Sequence, residues 1–116
     1  MVDLRPLERD AQETILDLAR TLGWRVAHFR PARTDKGWRT PVSADGKGFP
    51  DLVLVRERVI FAELKREGES PRADQVEWLN ALARAGAEVY VWTLADYEEI
   101  TSILSRRVPR AERTSS

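Results

Sequence analysis

Apolar residues spaced three or four positions apart predict three amphipathic helices. The first is expected over about 6–22, the second from Ser70 to about Ala85, and the third from Thr93 to about Leu104. Capping signals support each segment, because proline suits a first turn, glycine suits the end of a helix, and Thr93 with Asp96 forms a capping pair. The second helix is expected to bury a stripe made of Val76, Leu79, Leu82 and Ala83.

Short runs of β-branched and aromatic residues predict four strands. They are Trp24–Arg30, Asp51–Val55, Val59–Lys65 and Glu88–Thr93, and the middle two are separated by three polar residues, which indicates a hairpin. Apolar residues occupy both faces of that hairpin, as in strands covered on two sides. The resulting order, α-β-β-β-α-β-α, predicts one α/β domain over 1–105, with a mixed sheet flanked by helices.

Two polar segments lie outside these elements. Residues 31–50 contain three prolines, three glycines and much of the basic excess, which predicts a long, mobile basic loop. Residues 106–116 are polar and rich in arginine, so we expect a disordered basic tail there.

The charges are segregated although their total is zero, from 19 Lys and Arg against 19 Asp and Glu. Residues 24–47 carry a net charge of +4, residues 88–104 carry −4, and the tail from Ser105 carries +3. A local basic patch can attract a polyanion whatever the total charge is. The alternative is that these segments are simply solvated faces.

The composition excludes several classes of site. The chain has no cysteine and a single histidine, His28, so it holds no disulfide, no thiolate metal site, no cysteine nucleophile and no multi-histidine zinc site of its own. No apolar run approaches the roughly 18 residues of a membrane span. Residues 1–10 are too charged for a signal peptide, so we expect a protein with no membrane association in the cytoplasm of a bacterium or of a phage-infected host.

The predicted hairpin brings three charged residues together. If its turn has three residues, Val55 pairs with Val59, and Asp51 lies opposite Glu63. Carboxylates this close repel each other, so they either raise a pKa or bind a divalent cation, for which oxygen ligands favour Mg²⁺ or Mn²⁺. Lys65 shares the face of Glu63 and could hold a water beside the metal. This arrangement suits hydrolysis of a phosphodiester.

Each part of this pattern also has an ordinary structural explanation. A Glu-x-Lys sequence in a strand is usually an exposed ion pair, and Pro50-Asp51 before a strand is usually a turn. The combination is more specific, because charged groups that border a buried strand need a reason to be there.

These residues carry a family resemblance. Gly48-Phe49-Pro50-Asp51 and Glu63-Leu64-Lys65 resemble the signature of the PD-(D/E)XK nuclease superfamily. Three downstream features resemble, more narrowly, the VRR-Nuc (virus-type replication-repair nuclease) family: Gln75, Trp78 and Gly86–Trp92. The resemblance covers roughly residues 7–100. It implies a restriction-endonuclease-like fold, with an α-β-β-β-α-β core, a mixed central sheet flanked by helices, and a C-terminal helix.

The resemblance also implies roles for individual residues. Asp51 and Glu63 would be metal ligands together with the backbone carbonyl of Leu64, Lys65 would be the catalytic lysine, and Gln75 would lie beside the site. Without the resemblance, Gln75 could equally be a surface residue. The implied cofactor is Mg²⁺, with Mn²⁺ able to substitute.

The family also has an acidic residue on its first helix. Glu8 is the best match, and it would bind the metal directly or through water, since it shares a helical face with Gln12. Asp10 and Glu13 are rival candidates. Alternatively, Glu8 is a solvated acid favoured near a helix N-terminus.

The implied activity is metal-dependent endonucleolytic cleavage of branched DNA, Holliday (four-way) junctions in particular, by a homodimer that could act with replication-repair proteins. A nuclease of flaps or of single-stranded DNA and a non-catalytic DNA-binding module are the alternatives. Trp38 could stack on an unpaired base or fold over the edge of the domain. The basic residues expected to contact DNA phosphates are Arg30, Arg33, Lys36, Arg39 and Lys47.

Overall fold

The computed structural model describes residues 8–29, 32–35, 37–39 and 42–108. In chain order the elements are α1 (Glu8–Thr21), β1 (Arg25–His28), β2 (Ala32–Thr34), β3 (Gly37–Arg39), β4 (Leu52–Val55), β5 (Val59–Leu64), α2 (Ala73–Arg84), β6 (Glu88–Trp92), a 3₁₀ turn (Leu94–Asp96) and α3 (Tyr97–Ser105). The three helices and four strands predicted from the sequence are all present, with ends that differ by at most four residues, the largest difference being at the start of α3. The Thr93–Asp96 capping pair is also present, since Asp96 accepts a hydrogen bond from the backbone N–H of Thr93.

β1, β4, β5 and β6 form one mixed sheet in that order. β4 is antiparallel to β1 and β5, whereas β5 and β6 are parallel and are connected through α2. Val55 pairs with Val59, so the predicted three-residue turn and its register are confirmed. This register decides which side chains meet at the other end of the hairpin.

One face of the sheet carries the core. Leu52, Leu54, Ile60 and Ala62 are fully buried there, and they pack with apolar side chains of α1 and α3. The opposite face is covered by α2 and by the segment before β4, but only in part. Val55 and Val59 remain 41% and 44% exposed at the turn end of the hairpin, so the prediction that both faces are covered was wrong there.

The predicted loop over 31–50 contains a second hairpin. β2 and β3 pair antiparallel with Arg33 opposite Trp38, and in the part of the chain that the structure describes they do not join the main sheet. The turn chemistry explains the hairpin, because Asp35 favours a turn and Gly37 adopts a φ of 97°, which suits glycine. The expectation of one uninterrupted loop was therefore wrong.

The turn between β4 and β5 binds the C-terminal ends of two helices. Arg56 Nη1 donates hydrogen bonds to the carbonyls of Leu22, just after α1, and of Leu104 in α3, both at 2.9 Å. Arg58 donates to the carbonyl of Ile103. Both guanidinium groups lie over the ring of Trp24, at 4.6 and 5.0 Å from its centroid. We call Arg56 and Arg58 the arginine cap, because they satisfy helix carbonyls that have no partner within the helix.

Glu57 lies between the two arginines and makes an ion pair with each, at 2.6 Å to Arg56 and 3.0 Å to Arg58. The hydrogen bond from Arg56 is the main reason that the pKa of Glu57 falls to about 2.

Beyond α3, Arg106 and Arg107 are exposed, and the predicted tail from residue 109 onward lies outside the described residues. None of the helices in the described ranges is long and apolar enough to cross a membrane.

Candidate active site

Asp51 and Glu63 meet at the end of the β4–β5 hairpin that is remote from its turn. Leu52 pairs with Ala62, so the same register, continued by one residue, sets Asp51 opposite Glu63. Asp51 Oδ2 accepts a hydrogen bond of 2.9 Å from the backbone N–H of Leu64. The hairpin therefore brings the two carboxylates together as its spacing predicted.

Glu63 is buried, with a side chain that is 1% exposed. Its Oε2 accepts a hydrogen bond of 2.5 Å from Gln75 Nε2 and lies 3.4 Å from Lys65 Nζ. Its Oε1 is also buried, and among the described residues it has no hydrogen-bond partner. A buried carboxylate oxygen is normally paired, so this atom points to a missing ligand.

Burial raises the pKa of both carboxyl groups. For Glu63, loss of solvent is the largest cause and the charge of Asp51 adds to it, so its pKa rises to about 7 although Lys65 opposes the shift. For Asp51, burial outweighs the backbone N–H of Leu64 and the charges of Lys65 and His28, which lower its pKa. A divalent cation would offset the burial that raises both pKa values and the repulsion by Asp51 that adds to the shift of Glu63.

Gln75 connects the carboxylates to α2. It is 5% exposed, and its Oε1 accepts a hydrogen bond of 2.8 Å from the backbone N–H of Arg72 while its Nε2 donates to Glu63. The alternative that Gln75 is a surface residue was wrong.

The apolar stripe that the sequence predicted on α2 was wrong in part, since Val76 is 39% exposed and Ala83 is exposed. The helix is turned so that Gln75 faces the sheet.

The segment before Asp51 is fitted closely against α2. Gly48 has a φ of 89°, and a Cβ atom there would lie 2.6 Å from the backbone carbon of Asp74. Phe49 makes edge-on ring contacts with Phe61 and Trp78, at 6.0 and 5.0 Å between centroids. Gly48 and Phe49 therefore hold the segment that leads into Asp51 against α2 and the sheet. The sequence pattern did not predict this role for either residue.

The candidate acids of the first helix are described only in part. α1 begins at Glu8, but the side chains of Glu8 and Asp10 lie outside the described residues. Glu13 is exposed. The choice among the three stays open.

The candidate DNA contacts are likewise described only in part. Lys47 is exposed, Arg33 and Arg39 lie on β2 and β3 with side chains outside the described residues, and Arg30 and Lys36 lie wholly outside them. Arg66 and Arg72, which were not among these candidates, are exposed between β5 and α2 and make ion pairs with Glu69 and Asp74. Arg66 directly follows Glu63-Leu64-Lys65, and Arg72 directly precedes α2.

The donor set fits a hard divalent cation. Within the described ranges no group of three His, Cys, Asp or Glu residues is placed to hold a metal ion, so this site offers a cation only the two carboxylates of Asp51 and Glu63. Mg²⁺ commonly binds through one or two carboxylates and completes its shell with water and substrate phosphate. The buried, unpaired Oε1 of Glu63 is the atom that such an ion would satisfy.

A comparison with protein families identifies the domain. The model of the VRR-NUC domain matches residues 30–96, more than half of the chain. The chain belongs to the VRR-NUC family. The match includes Asp51, Glu63, Lys65 and Gln75 and confirms the resemblance, but it is shorter than 7–100 and begins after α1, so Glu8 lies outside it.

Membership in the VRR-NUC family makes this a nuclease domain of the PD-(D/E)XK type that acts on DNA. The four-stranded mixed sheet with flanking helices agrees with the fold expected for such a domain. No protein in a search of curated sequences matches the chain.

Proposed function

We propose that the protein is a divalent-metal-dependent endonuclease that hydrolyses phosphodiesters in branched DNA, with four-way junctions as the first candidate substrate. The observation that carries the proposal is the buried, unpaired Oε1 of Glu63 beside Asp51 and Lys65. A binding module has no need for two clustered carboxylates that face a phosphate, so a non-catalytic role is disfavoured.

In this proposal, Asp51, Glu63 and the carbonyl of Leu64 hold Mg²⁺ or Mn²⁺, and Glu8 assists directly or through water. When bound, the ion would stabilise charge on the phosphate and lower the pKa of a water. Lys65 Nζ lies 3.4 Å from Glu63 Oε2, close enough to orient a water held at that carboxylate.

Gln75 acts as a positioning residue, because its amide holds Glu63 Oε2 and leaves Oε1 for the ion. Neither this geometry nor the roles above require a covalent intermediate.

One chain contributes one set of these residues, so symmetric cleavage of two strands at a junction requires two copies. We therefore include a two-fold homodimer in the proposal, with replication-repair proteins as possible further partners. The candidate phosphate contacts are Lys47, which is exposed, together with Arg30, Arg33, Lys36 and Arg39.

The test is a cleavage panel with labelled four-way, flap, splayed-arm and linear substrates, in Mg²⁺, in Mn²⁺ and in EDTA. We expect cleavage in either metal, none in EDTA, and a loss of at least about 100-fold in Glu63→Ala and Lys65→Ala. Glu77→Ala, at an exposed carboxylate on α2, is the control. Activity in EDTA, or full activity of both site variants, would overturn the proposal.

A flap or single-strand nuclease is the second candidate function. The same panel separates the two, since a flap nuclease cuts flaps and splayed arms faster than four-way junctions.

A further inference from the structure

Phe29, directly after β1, lies in the same cross-strand row as the two carboxylates of the candidate active site. Its backbone N–H donates a hydrogen bond of 2.8 Å to the carbonyl of Asp51, which continues the β1–β4 register by one residue and sets the two residues opposite each other. Asp51 in turn lies opposite Glu63. Residues paired in this way have Cβ atoms roughly 5 Å apart on one face of the sheet, so the three side chains share a face.

Ring contacts confirm that Phe29 is on the face of the sheet covered by α2. Phe29 meets Phe49 edge-on, with 5.7 Å between the ring centroids, and Phe49 lies in turn against Phe61 of β5 and Trp78 of α2. Phe61 is two residues before Glu63 on the same strand, so their side chains point to the same side. This aromatic packing holds the ring of Phe29 beside the carboxylates.

Phe29 is the exposed end of this aromatic cluster. It is 43% exposed, whereas Phe49, Phe61 and Trp78 are half-buried. Single exposed apolar residues are common on protein surfaces, so exposure alone does not indicate a role. Here the exposed ring is supported by Phe49 and lies one residue pair from Asp51, so a nucleotide whose phosphate is held at the carboxylates has this ring beside it.

We propose that Phe29 is a specificity-determining residue whose ring stacks on the base pair that ends a duplex arm at a branch point, next to the phosphate that is cut. The inference rests on the proposed function. A phenyl ring has no hydrogen-bonding group with which to read a base edge, but it can stack on the face of any base.

This contact separates branched from unbranched DNA. Within a continuous duplex each base pair is covered on both faces by its neighbours, whereas at a branch point the stack is interrupted and a face is available. Four-way junctions and flaps both offer such a face. Phe29 therefore favours a branch over a continuous duplex, and it does not decide between the two kinds of branch.

The test measures binding of the full chain in EDTA, so that no cleavage is needed. One probe is a four-way junction with 2-aminopurine in a base pair at the branch point, and the second probe carries 2-aminopurine in the middle of an arm. We expect a change in fluorescence on binding only for the first probe. Relaxed circular duplex DNA, which has neither a branch nor an end, is the reference for affinity.

Two variants at Phe29 separate the ring from its apolar character. Phe29→Leu, which removes the ring, should abolish the change in fluorescence and raise the dissociation constant for the junction about tenfold, while the constant for circular duplex stays within about twofold. Phe29→Trp keeps an aromatic ring and should retain the wild-type behaviour. Tyr97→Leu is the matched control, because Tyr97 is a 40% exposed aromatic residue on α3, and it should also behave as the wild-type protein does.

Three results would overturn the inference: the same fluorescence response or none for both probes, an undiminished affinity of Phe29→Leu for the junction, or an equal loss of affinity for junction and circular duplex. The last would assign the ring to the sugar–phosphate backbone. The two probes are compared with the wild-type chain, so the inference stays testable if a variant folds poorly. Failure of the proposed function is distinguishable, because it is read from the absence of cleavage in the substrate panel, whereas stacking is read in EDTA.

Discussion

Gln75 donates a hydrogen bond from its amide nitrogen to Glu63 Oε2, so a residue in the first turn of α2 fixes a carboxylate on β5. The amide oxygen of Gln75 accepts a hydrogen bond from the backbone N–H of Arg72. If the amide were flipped, so that its oxygen and nitrogen changed places, both hydrogen bonds would be lost. The position of Glu63 and the start of α2 are therefore coupled through one side chain.

Replacing Gln75 with leucine should lower both stability and activity. The change leaves Glu63 Oε2 without its amide donor and the N–H of Arg72 without an acceptor, and each lost partner in a buried place costs roughly 1–3 kcal/mol. Urea denaturation at pH 7 measures the free energy of unfolding. Asn80→Leu, an exposed change on the same helix, should stay within about 0.5 kcal/mol of the wild-type protein. Equal losses in the two variants would contradict the coupling.

The metal-free protein should lose stability as the pH rises from about 4.5 through about 7. The pKa of Glu63 is raised by burial from 4.5 to about 7, so the folded protein favours the protonated carboxyl, and that contribution disappears above the folded pKa. Glu63→Gln keeps a neutral side chain and should therefore become more stable than the wild-type protein at pH 8, by up to about 3 kcal/mol. Urea denaturation in EDTA at pH 5, 6, 7 and 8 tests this, and parallel curves for the two proteins would refute it.

Divalent cations should bind more weakly as the pH falls below about 7. Binding requires the ionised form of Glu63, so each ion bound near neutral pH releases protons. Isothermal titration of Mn²⁺ in two buffers of different ionisation enthalpy gives the number of protons released, which should decrease from pH 6.5 to pH 8.5. The same number at both pH values would show that this carboxyl does not hold the ion.

Gly48→Ala should destabilise the protein by about 2–4 kcal/mol, because it adds the cost of a left-handed φ to a collision with the backbone of Asp74. Gly68→Ala is the matched control. Its φ is 87°, but an added Cβ meets nothing within 4 Å, so only the backbone cost of about 1–2 kcal/mol applies. Thermal unfolding compares the stability of the two variants. An equal loss of stability would mean that the close approach of Gly48 to α2 contributes nothing to the cost of the substitution.

Arg56→Met should lower the free energy of unfolding by about 2–3 kcal/mol without a change in kcat. The variant removes hydrogen bonds to the carbonyls of Leu22 and Leu104 and the ion pair with Glu57, all at the end of the hairpin remote from the carboxylates. Arg84→Met, exposed at the end of α2, should change stability by less than about 0.5 kcal/mol. A large fall in kcat with unchanged stability would contradict this assignment.

The main sheet could be predicted from the sequence because its signals are local. Helical periodicity located the three helices, and the three residues between Val55 and Val59 determined the register that brings Asp51 to Glu63. The β2–β3 hairpin was missed, because each of its strands has three residues and lacks an alternating apolar pattern. Its turn at Asp35 and Gly37 was the only local signal.

The site could be predicted only in part, because its remaining features depend on tertiary packing. The burial of Gln75 is set by the rotation of α2 on the sheet, and a polar residue in a first turn carries no sign of that rotation. The unpaired Oε1 of Glu63 arises from the distances between elements far apart in the chain. Residue types indicated the chemistry, and packing determined which atoms are available for it.

The arginine cap fixes the path of the chain that leaves α3. Because Arg58 also donates a hydrogen bond to the carbonyl of Arg106, the segment that follows α3 starts beside the β4–β5 turn. The length of β5 separates that point from Glu63 by roughly 15–20 Å. Arg106 and Arg107 are thereby held at the end of β5 opposite Asp51 and Glu63, where they make ion pairs with Glu88 and Glu57.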